Sequence, residues 1–259
     1  MTLGSVRRTD HPPRVVAHRG FAGRYPENTV AAFVAAAPDC DAVELDVRPT
    51  ADGDPVVFHD DRLDDLTDAS GLVRETATSA VVAAEVLGSG ETVPRLSEVV
   101  AALDADTALN VELKSAGETP RRADEALDRR EREAARERWQ SFVDRVSGAL
   151  ADAPQEVLYS SFCVGALAAL AERGDEALAP LTATGGEWAF DAAARYDAVA
   201  IHPAADIVLA DVGLVDRAHD DGLAVNAWTV RTWHEAVRAS EAGVDACIAD
   251  YPGLVGRVR

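Results

Sequence analysis

The sequence predicts an α/β fold in which eight parallel strands alternate with helices and close into a (β/α)8 barrel of the TIM type. Three observations carry that reading. The length of 259 residues suits one such barrel, 47% of the residues are apolar, and short β-like runs recur between helical stretches along the whole chain.

The first run, Val15 to Ala17, ends at His18-Arg19-Gly20. A helix carrying Val30, Phe33 and Val34 leads to the second, Ala42 to Val47. Leu109 to Leu113 is the third run and Val157 to Tyr159 the fourth. Ala179 to Thr182 and Ala198 to Ile201 are weaker, and Leu223 to Val225 and Ala246 to Ile248 complete the set. Between the second and third runs, Val56 to Pro94 is too long for an ordinary barrel loop. Most of it, about residues 60–94, is expected to form a small insertion over the barrel mouth. Residues 1–13 read as a polar tail and residues 14–259 as one domain. From Glu118 to Ala153, apolar Leu127, Ala135, Trp139, Phe142, Val146 and Leu150 recur at helical steps, which predicts one long amphipathic helix. Its arginines are matched by Asp and Glu, the pattern of a salt-bridged, solvated face.

Composition excludes several classes. The chain carries 45 acidic and 25 basic residues, a formal charge of −20, which argues against nucleic acid as a partner. No uninterrupted apolar stretch reaches the roughly 18 residues of a membrane-spanning helix. The polar N-terminus, with Arg7, Arg8 and Asp10, lacks the apolar core of a secretory signal, so a cytoplasmic protein is expected. Cys40, Cys163 and Cys247 are far apart and read as buried, reduced thiols. Among the basic residues only Lys114 is lysine, and the other 24 are arginine. Abundant acid with scarce lysine resembles proteins of salt-adapted organisms.

Polar residues gather where a barrel places its chemistry, at the C-terminal ends of strands. Glu44 and Asp46 are two residues apart and share a face, and Glu112 and Lys114 repeat the spacing on the next strand. Three acids aimed at one space repel unless a cation holds them, and oxygen ligands suit a hard divalent ion, Mg2+ or Ca2+, rather than zinc. Arg19 and Lys114 supply phosphate-binding cations, and the one lysine of the chain stands two residues after a candidate ligand. His18 and His59 adjoin the same space and suit general acid–base work. His202, on the sixth run, is either a substrate contact or structural, while His11, His219 and His234 read as surface groups.

With these residues in place, the chain resembles the glycerophosphodiester phosphodiesterase family. The resemblance rests on His18-Arg19-Gly20, Pro26-Glu27-Asn28-Thr29, Glu44-Leu45-Asp46-Val47, His59-Asp60 and Val111-Glu112-Leu113-Lys114. It continues through Ala227-Trp228-Thr229-Val230 and Gly243-Val244-Asp245 with Asp250-Tyr251-Pro252, in the family's order. It implies metal-dependent hydrolysis of small glycerophosphodiesters to sn-glycerol 3-phosphate and an alcohol, in lipid and glycerol metabolism, without membrane insertion. It also implies that Glu44, Asp46 and Glu112 hold one divalent ion and that His18 and His59 form the acid–base pair. Arg19 and Lys114 then bind phosphate, Glu27 lines the site and Trp228 forms an apolar wall against glycerol. Asn28 or Thr29 reads as the cap of the following helix. Arg231 stands where the family commonly has Asn, and Ala249 where Thr often precedes Asp250; neither is expected to touch the metal or proton-transfer groups. Related barrels with the same two-histidine logic cleave phospholipids, so a lipid-directed phosphodiesterase is the rival enzyme. A phosphate sensor without turnover is the rival from another class.

The charge balance generates a test. An acidic, lysine-poor surface repels itself least when salt screens it. The melting temperature should therefore climb as KCl is raised toward molar concentrations. A flat or falling curve contradicts the salt-adapted reading.

Overall fold

The structure, a computed structural model, describes residues 2–6, 11–114, 128–184, 187–211 and 213–255. Its strands are β1 (Arg14–His18), β2 (Ala42–Pro49), β3 (Pro55–Val57), β4 (Ala108–Leu113), β5 (Val157–Ser161), β6 (Ala177–Thr182), β7 (Ala200–Pro203), β8 (Ala224–Val230) and β9 (Ala246–Ala249). All but β3 pair in parallel in the order β1-β9-β8-β7-β6-β5-β4-β2, and pairing of β1 with β2 closes the ring. The expected eight-stranded barrel is present, both weaker runs included. β3 lies antiparallel on β2 outside it.

Helices fill the intervals: α1 (Val30–Ala36), α2 (Thr78–Val81), α3 (Leu96–Ala102), α4 (Arg129–Leu150), α5 (Val164–Ala171), α6 (Glu187–Tyr196), α7 (Ala205–Ala210), α8 (Leu214–Asp220) and α9 (Trp233–Ala242). Strand alternation then sorts the core. Outward residues Val43, Leu45, Leu109, Val111 and Tyr159 pack under helices on one side of the barrel, and Ile201, Val225, Ala227 and Cys247 on the other. Inward residues Val16, Ala42, Leu158, Ala179, Ala200, Ala224, Ala246 and Ile248 form a separate cluster in the lumen. On most strands the next inward position changes character. Val16 is followed by His18, Ala42 by Glu44 and Asp46, Ala200 by His202, Ala224 by Asn226, and Ile248 by Asp250. The lumen is therefore apolar toward the N-terminal ends of the strands and polar toward the C-terminal ends, which builds the site.

The segment after β3 folds over its own small core of Val56, Phe58, Leu63, Val73, Val81, Ala84, Val86 and Val93. Irregular bridges such as Arg62 with Leu72 and Thr67 with Val86 hold it, so the expected insertion is an independent apolar knot rather than a loose loop.

α4 starts at a reciprocal cap, with Asp128 accepting from the Glu131 N–H and Glu131 accepting from the Asp128 N–H. It ends at Leu150, before Pro154, which disfavours further helix. Residues 118–127 of the predicted helix, Leu127 among them, lie outside the described residues. Phe142, Val143, Val146 and Leu150 are buried, while Arg136 pairs with Glu172 and Arg145 with Asp54, as a solvated face requires. Two thiols differ from expectation: Cys247 is buried, but Cys40 and Cys163 are only partly so, and no disulfide joins any of the three.

α4 and α5 meet at Gly165, where a Cβ would stand 2.8 Å from the Ala135 carbonyl oxygen and 2.5 Å from Trp139 Cδ1. In an isolated helix Gly165→Ala stabilises by up to about 1 kcal/mol. Here a backbone oxygen cannot rotate aside, so overpacking should win by roughly 1–3 kcal/mol. Urea unfolding checks the sign, and an unchanged or more stable variant would show that the two helices part freely.

Candidate active site

Parallel register sets the acids side by side. Glu44 is level with Asn110, and Asp46 with Glu112, across β2 and β4, while His18 on β1 is level with Glu44. One oxygen each of Glu44, Asp46 and Glu112 falls within 4.8 Å of the others, and all three residues are buried. Burial, reinforced by the neighbouring charges of Asp46 and Glu112, pushes the Glu44 carboxyl well above its ordinary range. Burial raises Glu112 as well, although Lys114 opposes it. For Asp46 burial acts upward too, but Lys114 and then Arg19 overcome it and hold the group ionised.

The cations are posted against this charge. Lys114 Nζ lies 3.0 Å from Asp46 Oδ1 and 2.6 Å from Glu112 Oε1. A carboxylate oxygen has more than one lone pair, so both buried oxygens can still accept beside the ammonium. Arg19 has φ of +50°, a left-handed conformation that is unfavourable outside glycine. The turn aims its N–H at Glu44 Oε2, 3.0 Å away, and brings Nε to 3.2 Å from Asp46 Oδ2. Glu27 accepts from Arg19 Nη1 at 2.9 Å, so its place is to orient the guanidinium.

Both predicted histidines share one device. His18 Nδ1 donates to Asp250 Oδ1 at 2.6 Å, and His59 Nδ1 donates to Asp60 Oδ1 at 2.6 Å. A carboxylate on Nδ1 fixes the tautomer and leaves Nε2 as the working nitrogen. His18 Nε2 is 4.0 Å from Glu44 Oε2, and both imidazoles lie near enough to Asp46 to stabilise its charge. Burial lowers the His59 pKa, with Asp46 opposing. His59 leaves β3 through Phe58, whose N–H donates to the Asp46 carbonyl, and Arg48 Nε donates to the His59 carbonyl at 2.7 Å.

Several placements correct the sequence reading. Asp250, given no role in the sequence reading, bonds the proton-transfer candidate His18 directly, and Arg231 Nε donates to its other oxygen at 3.0 Å, so Arg231 reaches His18 only through Asp250. Thr29 caps α1, whereas Asn28, left-handed at φ +57°, donates to Asp46 Oδ2 at 2.8 Å and serves the site. Its signal was its type, since Asn tolerates that conformation. His202 is 1% exposed, and burial pushes its pKa down to about 3, so it is a neutral structural group. His219 is not a free surface group: its Nε2 bonds the fully buried Asp245 at 2.9 Å. Trp228 stands at the mouth, edge-on to Phe162 with ring centroids 5.4 Å apart. Nothing in the sequence singled out Phe162.

A closed parallel barrel with acids, imidazoles and phosphate-seeking cations at the C-terminal mouth defines a hydrolase of the barrel class, and comparison with known proteins narrows it. Residues 18–254 match the Glycerophosphoryl diester phosphodiesterase family, and the chain belongs to that family. It is accordingly a phosphoric diester hydrolase. A glycerophosphodiester phosphodiesterase of Caldanaerobacter subterraneus subsp. tengcongensis is 30% identical over 260 aligned positions, covering 95% of this chain and 97% of the relative. An Oleispira antarctica phosphodiesterase, solved in complex with the product sn-glycerol-3-phosphate, superposes with a TM-score of 0.79 at 26% identity, covering 93% of this chain and 94% of that one. A Thermotoga maritima glycerophosphodiester phosphodiesterase shares the fold with a TM-score of 0.72 at 22% identity, over 93% of this chain and 95% of that one.

The His18–Asp250 contact generates a test. Asp250→Asn keeps the shape but removes the charge that holds the imidazole in one tautomer. It should lower kcat roughly 10²-fold or more with little change in KM, measured on glycerophosphocholine. Wild-type kcat in Asp250→Asn would show that the carboxylate does no such work.

Proposed function

We propose that the protein hydrolyses small glycerophosphodiesters to sn-glycerol 3-phosphate and an alcohol with the help of one divalent ion, Mg2+ or Ca2+. The observation that carries this reading is the buried, all-oxygen Glu44–Asp46–Glu112 cluster, two of whose oxygens keep acceptor capacity beside Lys114. Such a donor set fits a hard cation. A divalent ion held there supplies Lewis-acid polarisation of a phosphoryl oxygen.

The chain's own groups do the rest. Arg19 and Lys114 face the phosphoryl oxygens and offset the negative charge that grows on them. His18 takes the proton of the attacking group at Nε2 while Asp250 holds Nδ1–H. His59, steadied by Asp60, gives the proton of its Nε2 to the leaving alkoxide. Glu27 keeps the guanidinium of Arg19 aimed, and Trp228 forms the apolar wall against glycerol. This assignment serves attack by water or by the glycerol 2-hydroxyl alike. The Oleispira complex with sn-glycerol-3-phosphate supports the product named here. On the same reading residues 14–259 act as one catalytic domain, with the insertion at about 60–94 bordering the glycerol side. The enzyme then serves lipid and glycerol metabolism in the cytoplasm, a compartment that suits cysteines joined by no disulfide.

Glycerophosphocholine hydrolysis tests the reading. Chelation with EDTA should abolish turnover, and Mg2+ or Ca2+ should restore it; full activity in thoroughly chelated protein sinks the metal assignment. His18→Ala and His59→Ala should each lower kcat roughly 10²-fold or more. Lys114→Arg should also cost activity, because a planar fork replaces a point charge. Wild-type turnover by His59→Ala would mean that another group protonates the alkoxide.

A further inference from the structure

Residues 3–5 of the N-terminal segment pack on the barrel. Leu3 is 3% exposed and joins the lumen cluster of Ala42, Leu158, Ala200, Ala224 and Ile248. Its N–H donates to Glu156 Oε1 at 3.1 Å, and Arg14 Nη2 donates to the Ser5 carbonyl at 2.7 Å. Gly4 sits so close to Val199 that a Cβ would be 2.4 Å from its Cγ2. Glu156, Arg14 and Val199 all stand at the N-terminal ends of their strands, so residues 3–5 stop the barrel at the end opposite the site.

A polar path runs from that stop to the mouth. Asn226 Nδ2 lies 3.2 Å from the Leu3 carbonyl oxygen and 2.9 Å from His202 Nε2. The Leu3 carbonyl accepts only, so the amide must turn its nitrogen toward it and donate both hydrogens. His202 Nε2 is then an acceptor, which places the imidazole proton on Nδ1. The backbone carbonyl of the same His202 accepts from Trp228 Nε1 at 2.8 Å. Trp228 packs on the same lumen cluster as Leu3. The indole N–H is tied to that carbonyl, so the ring sits where the His202 backbone holds it.

We propose that residues 3–5 are a plug that positions the Trp228 indole through Asn226 and His202, which makes the N-terminal segment part of the substrate-binding wall. The inference rests on the reading of Trp228 as that wall. Leu3, Asn226 and His202 are positioning residues: they act on substrate only through the ring.

Steady-state kinetics on glycerophosphocholine with metal-loaded enzyme separates positioning from bulk stability. Asn226→Ala should raise KM about tenfold, the size of one lost hydrogen bond, with kcat within about threefold of wild type. Trp228→Phe, which keeps a ring but loses the N–H, should raise KM similarly. The double variant should be no worse than Trp228→Phe alone, because both changes cut one path. Leu3→Ala, which removes no polar group, should shift KM the same way and keeps the test alive if Asn226→Ala does not fold. A lowered melting temperature with wild-type KM in Leu3→Ala and Asn226→Ala overturns the proposal, as do additive effects in the double variant. Trp228→Ala tells the two readings apart. Unchanged KM there removes the wall and this inference together, whereas raised KM there beside wild-type KM in Asn226→Ala removes the plug alone.

Discussion

Three buried carboxylates within 4.8 Å of one another at the barrel mouth repel strongly, and the architecture around them answers that repulsion. Lys114 stands against Asp46 and Glu112, the Arg19 guanidinium against Asp46 as well, and the Arg19 backbone N–H against Glu44, at distances of 2.6 to 3.2 Å. Asn28 donates to the most ionised of them, Asp46. Holding Arg19 and Asn28 in place requires left-handed backbone at both, an unfavourable conformation kept because the turn after β1 has nowhere else to aim these groups. The local strain, the lone lysine and the polar upper lumen have one origin.

The same constraint explains how the barrel divides its labour. Alanine lines much of the lower lumen, which keeps it narrow and apolar, and the outward faces of the strands bury large aliphatic side chains under the helices. Among inward positions, those near the C-terminal ends carry the acids and the histidines. The two histidines arrive from different structures, one from the end of β1 and one from the segment behind β3. Each nevertheless meets a carboxylate on Nδ1. A shared orientation reached by separate routes is what a two-histidine proton relay needs.

Legibility in the sequence followed the range of the interaction. Short apolar runs between helical stretches exposed the strands, and Glu44, Asp46, Glu112 and Lys114 were readable because their shared face follows from spacing alone. Asn28 or Thr29 was read as the helix cap, and Thr29 is; the Asn28 bond to Asp46 spans 18 positions and lies beyond any local signal. Asp250 was passed over for the same reason: its bond to His18 crosses 232 positions and exists only because β9 closes against β1. The His219–Asp245 link and the Leu3–Asn226 contact likewise join segments with no common periodicity. Barrel closure brings together what local pattern cannot.

The central claim is that the acid cluster is a site for one hard cation, held by charge rather than by the histidines. Isothermal titration calorimetry of Mg2+ and Ca2+ into chelated protein measures it without any substrate. One ion should bind the wild-type protein and the His18→Ala variant alike, and binding should be lost in Glu44→Gln and in Glu112→Gln while both remain folded. Absence of binding in the wild type, or full binding in both glutamine variants, would contradict the account.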